Sequence, residues 1–99
     1  MPSYRTILTV TDLLPGRGPQ DVETAARTAV TASTTLEAFQ IDVVRGRPRV
    51  TVRFTGADDA DARAVHGRII AGVREAAVVP QQVLAKVVGG RSAPVALDA

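Results

Sequence analysis

Arg49 and Arg53 stand at alternate positions on either side of Thr51, and Arg5 occupies the same parity in an earlier alternating segment. If both segments are strands, period-two geometry puts the three guanidiniums on one side of a sheet. Unpaired guanidiniums in one place repel each other, and arginine prefers flat, two-pronged contacts with carboxylate or phosphate. Asp42, on a neighbouring segment, can neutralise only one of them. This surface is therefore expected to meet a small anionic ligand or acidic side chains of a partner subunit.

The remaining chemistry-bearing residues give weaker signals. His66 is the sole histidine, and helical spacing puts it at the border of an apolar stripe, one turn after Ala62 and one before Ile70. A general base needs an orienting carboxylate, and the nearest acids, Asp59 and Asp61, lie seven and five residues back. Asp58, Asp59 and Asp61 offer oxygen ligands, but their spacing lacks the glycine and distant glutamate of a calcium loop, and helix capping accounts for all three. Gly16-Arg17-Gly18 ahead of a helix can present N–H groups and one guanidinium to an anion, although it has no Gly-Lys-Ser/Thr signature. No catalytic residue, metal or cofactor is expected.

Composition narrows the classes further. There is no cysteine, hence no disulfide, thiolate nucleophile or thiolate-held cluster. The apolar residues are mostly Val, Ala, Leu and Ile, with Tyr4, Phe39 and Phe54 the only aromatics, so the core should be light and aliphatic. Residues Met1 to Val10 alternate like a strand and do not read as a cationic leader, and no segment approaches the ~20 apolar residues of a membrane span. A cytoplasmic protein without membrane contact is expected. A net charge of +2 spread over both signs argues against nucleic acid, which needs a clustered positive surface.

The elements that must position these residues follow from periodicity. Tyr4 to Asp12 alternates as a strand, with Thr6, Leu8 and Val10 on one side. A helix should start near Pro19, with Val22, Ala25, Ala26, Ala29 and Val30 at three-and-four spacing. Phe39, Ile41 and Val43, then Val50, Val52 and Phe54, flank Arg45-Gly46-Arg47-Pro48 as a hairpin. A second helix is expected from Asp58 to about Val78, and a last strand over Val83 to Val88.

This order is the split βαβ of the ferredoxin-like fold: α+β, βαββαβ, a four-stranded antiparallel sheet with two helices on one face. One domain over residues 1–90 and a flexible tail over 91–99 are expected.

The run Thr9-Val10-Thr11-Asp12-Leu13-Leu14-Pro15-Gly16 closes the first strand and leads into the helix. It resembles the Asp-x-Pro-Gly turn of ACT-type regulatory domains, although one extra residue separates Asp12 from Pro15, and Arg17 and Gly18 replace the usual apolar pair. The resemblance implies the sheet order 4-1-3-2, small-ligand binding near this turn and dimerisation, with ligand roles for Asp12 and Gly16. The function expected is a non-catalytic small-ligand-binding or protein-interaction module acting as a homodimer. The alternative is a small cofactor-free enzyme of the dimeric α+β barrel kind, with a pocket on the open sheet face. Such a pocket should be mainly apolar, and Ile7 and Val44 are outnumbered by Arg5, Thr9, Gln40, Asp42, Arg49, Thr51 and Arg53.

Overall fold

The computed structural model describes residues 1–97. Its elements are β1 (Ser3–Thr9), β2 (Asp12–Leu13), α1 (Pro19–Thr31), β3 (Leu36–Val44), β4 (Arg47–Thr55), α2 (Asp59–Arg74), β5 (Ala77–Val78), β6 (Gln81–Val88) and β7 (Arg91–Pro94). Five strands form an antiparallel sheet in the order β3-β4-β1-β6-β7, and β2 pairs with β5 apart from it.

The class is α+β with two helices, but the four-stranded sheet is corrected to five strands. Gly89 and Gly90 have φ of 56° and 78°, so they form a two-residue turn with both central residues left-handed, which fits the twist of a hairpin. That turn folds Arg91–Pro94 back onto β6 as β7, where a flexible tail was expected. Positions 98 and 99 of the expected tail lie outside the described residues.

Alternation along the strands separates two faces. Tyr4, Thr6 and Leu8 of β1, Val50, Val52 and Phe54 of β4, and Leu84 of β6 are buried against Val22, Ala26 and Val30 of α1 and Val65, Ile69 and Val73 of α2. Leu8, Ile69 and Leu84 are sealed in this core, each worth roughly 1.5–3 kcal/mol of transfer free energy. The Tyr4 and Phe54 rings stack with centroids 6.0 Å apart. Arg27, held by Glu23 at 2.7 Å, lies over the Phe39 ring. The helices leave the other sheet face open.

Local sequence explains where the helices begin. Pro19 opens α1 where its missing N–H costs nothing, and Asp21 accepts from the Gly18 N–H at 2.7 Å. Asp58 caps α2 by accepting from the Asp61 N–H at 2.8 Å, as its position implied. The second helix is shorter than expected: it stops at Arg74, and Ala77–Val78 leaves to pair with Asp12–Leu13. A Cβ on Gly72 would stand 3.4 Å from the Ala25 carbonyl oxygen, so this glycine marks the close crossing of α1 and α2. No helix among the described residues is long and apolar enough to cross a membrane.

Candidate functional site

The open face carries the arginines that parity placed there, but register divides them. Arg5 and Arg53 are direct partners across β1 and β4, whereas Arg49 lies two same-face positions further along and faces Thr9. Arg5 Nη1 donates to Ser92 Oγ at 2.7 Å. Arg53 Nε lies 3.4 Å from Glu37 Oε1, an ion pair whose geometry falls short of a hydrogen bond. Glu37 reaches this spot because the β3–β4 register shifts between Leu36 and Ala38, and its Oε1 also accepts from Ser3 Oγ. Two of the three expected guanidiniums are thus engaged inside the protein.

Arg49 belongs to a different group. With Thr9, Val44, Arg45, Arg47 and Gln81 it lines a concavity of about 580 Å³ at the end of the sheet where β1 finishes and β6 begins. Arg47 and Arg49 point to the open side by their spacing along β4, and Arg45 is the first residue of the β3–β4 turn. That turn is a two-residue type with Arg45 at φ 55° and Gly46 at φ 77°. Among the described residues Arg45, Arg47 and Arg49 make no ion pair. Asp42 faces Arg49 across the ladder, but Gln40 Nε2 donates to both of its oxygens, at 3.2 and 3.0 Å. Sequence reasoning missed Arg45 and Arg47 because they fall in and beside the turn. Continuing the Arg49, Thr51, Arg53 parity back through Arg47 was the signal that could have found one of them.

The β1–α1 connection does not reach this concavity. Asp12, in β2, borders a separate hollow of about 220 Å³ with Val10, Leu13, Val22, Ile41 and Pro48. Gly16 has φ 79°, a conformation that explains a glycine there. Arg17 lines a third hollow of about 190 Å³ beside Asp21 and Glu75. Asp12 and Arg17, each expected on separate grounds to contact a ligand, therefore line different hollows.

His66 is corrected from a boundary position to the core, with 2% of its surface exposed. Its partners come from the sheet, which helix-only reasoning could not supply: Thr6 Oγ1 lies 2.8 Å from Nδ1 and Gln82 Oε1 2.8 Å from Nε2. With the Gln82 oxygen as acceptor, Nε2 carries the hydrogen and Nδ1 accepts from the Thr6 hydroxyl. Burial pushes the imidazole below its usual 6.5, partly opposed by the Gln82 hydrogen bond, so the neutral ring fits both partners. Both nitrogens are occupied.

At the far end of the sheet the Tyr4 hydroxyl donates to Asp59 Oδ1 at 2.7 Å, and Lys86 Nζ lies 3.7 Å from the same oxygen and over the Tyr4 ring. Burial first, then the Asp59 hydrogen bond and the nearby carboxylates, push the tyrosine up to about 12. Among the described residues no cluster of three or more His, Cys, Asp or Glu side chains could hold a metal ion.

Compared with known proteins, the chain matches no family model, no curated protein and no solved structure.

Proposed function

We propose that this chain is a non-catalytic module that binds a small anion in the concavity lined by Arg45, Arg47 and Arg49. One observation carries the reading: three guanidiniums that have no carboxylate partner among the described residues converge on one hollow, while the neighbouring carboxylate, Asp42, is held by Gln40. Positive charges brought together this way favour an anion that can accept paired N–H donors. The βαββαβ core, extended by β7, is read as a ferredoxin-like variant, and the likeness of the Asp12–Gly16 turn to ACT-type modules is in keeping with ligand binding without chemistry.

Thermal unfolding in the presence of pyrophosphate tests the reading. A ligand that binds only the folded state raises stability in proportion to the logarithm of its concentration over its dissociation constant. The protein should be stabilised, and an Arg45→Ala, Arg47→Ala, Arg49→Ala variant with unchanged baseline stability should not. Equal shifts in the two proteins would remove the concavity from consideration.

A homodimer through β3 is the second reading. This strand is a sheet edge, with Ile41 44% and Val43 73% exposed on one side of it and only the half-buried Asp42 and the exposed Glu37 as charged guards. A second copy would extend the sheet by pairing edge to edge and cover both side chains. Light scattering that gives only monomer mass at high micromolar concentration would dispose of it, and a shift from dimer to monomer in Val43→Lys would support it.

A further inference from the structure

We infer that the ligand of the arginine concavity is a small polyhydroxylated compound carrying two phosphate groups, with the phosphates held by Arg45, Arg47 and Arg49 and hydroxyls met by Thr9 and Gln81. This rests on the anion-binding reading above. It goes further by assigning the two ends of the hollow to different chemistry.

The dimensions come from the sheet. Arg47 and Arg49 are two residues apart on one side of β4, which separates their anchors by about 7 Å. Across the ladders Arg49 faces Thr9 and Thr9 faces Gln81, so two strand spacings span about 10 Å. A single phosphate carries a charge of about −1.5 to −2 near neutral pH and so cannot compensate the three guanidiniums that line the hollow. Two phosphates on one ligand can. The hollow, at about 580 Å³, has the size of an ordinary small-molecule site.

The other end is polar and uncharged. Among the described residues neither the Thr9 hydroxyl nor the Gln81 amide makes a side-chain hydrogen bond within the protein. Each offers both donor and acceptor capacity, which matches hydroxyls that donate and accept. Among the described residues no aromatic side chain lines the hollow and Val44 is its one apolar residue, so a nucleobase would find nothing there on which to stack. A polyol backbone requires no such platform.

Calorimetric titration with fructose 1,6-bisphosphate, fructose 6-phosphate and pyrophosphate, near neutral pH and at low salt, tests the assignment. The bisphosphate should bind roughly tenfold or more tightly than the monophosphate, since the second phosphate adds charge-assisted hydrogen bonds. A Thr9→Val, Gln81→Leu variant should weaken the sugar bisphosphate by about fivefold or more and leave pyrophosphate within about twofold, because only the sugar uses those groups. Equal affinity for mono- and bisphosphate, or equal weakening of sugar bisphosphate and pyrophosphate by the double variant, would overturn the inference and leave anion binding standing. Failure of all three compounds to bind would overturn the anion-binding reading as well.

Discussion

Asp42 sits directly across the β3–β4 ladder from Arg49, yet both of its carboxylate oxygens accept from Gln40 Nε2. The carboxylate still lowers the potential over the concavity even without an ion pair. Asp42→Asn should therefore raise pyrophosphate affinity by roughly two- to fivefold at low ionic strength, and the gain should vanish near 1 M salt, where the Debye length falls to about 3 Å. Titrations at two salt concentrations check both halves of the prediction.

Arg45 holds φ 55° in a turn whose favoured first residue is asparagine or glycine. Its left-handed conformation costs about 1 kcal/mol, so Arg45→Asn should stabilise the fold by roughly 0.5–1 kcal/mol. The same change should weaken anion binding by about tenfold through the lost guanidinium. Denaturant melts and binding isotherms on one variant would then move in opposite directions; loss of stability would show that the turn needs the arginine for packing.

His66→Ala removes the partner of both Thr6 and Gln82 in the core. It should cost about 2–4 kcal/mol of stability, because a cavity and two unsatisfied polar groups are left behind. Anion affinity should stay within about twofold, since a buried core group on the helix side exchanges nothing with the open face. A large loss of binding in folded protein would contradict this separation.

The same residue sets an acid limit. The folded imidazole lies below its ordinary 6.5, so the unfolded chain takes up the proton first. Its contribution is complete above about pH 6.5 and is lost as pH falls from there toward the folded value. Denaturant midpoints measured from about pH 8 down to about pH 5 should decline in the wild type and decline less in His66→Ala.

Tyr4 gives an alkaline counterpart with a clean optical readout, because the chain has one tyrosine and no tryptophan. Its hydroxyl, pushed up to about 12, should ionise well above the ordinary phenol in an ultraviolet absorbance titration. Unfolded tyrosine ionises near 10, so stability is whole below that value and is lost between it and about 12. Asp59→Asn should lower the midpoint without restoring the ordinary value, since burial is the larger cause.

Where period alone decides geometry, the sequence was readable. The alternation from Phe39 to Phe54 located the hairpin and sent Arg49 and Arg53 to the open side, and Asp58 marked the start of α2. Register was not readable, because the offset between β1 and β4 is a property of two strands together; it pairs Arg5 with Arg53 and leaves Arg49 beside Thr9. The burial of His66 depended on Thr6 and Gln82 arriving from β1 and β6, sixty and sixteen residues away. Gly89-Gly90 follows the last expected strand, and only the pairing of Arg91–Pro94 with β6 shows it to be a hairpin turn.

The single lysine has a practical meaning for experiments on this protein. Lys86 pairs in register with Tyr4 on the helix side, five residues along β6 from Gln81, a distance of about 17 Å. A dye or sensor surface attached through its amine would be anchored away from the arginine hollow and on the other side of the sheet. Immobilisation by that route keeps the candidate site accessible to solution, and it breaks the Lys86 contact with Asp59, which the tyrosine absorbance would report.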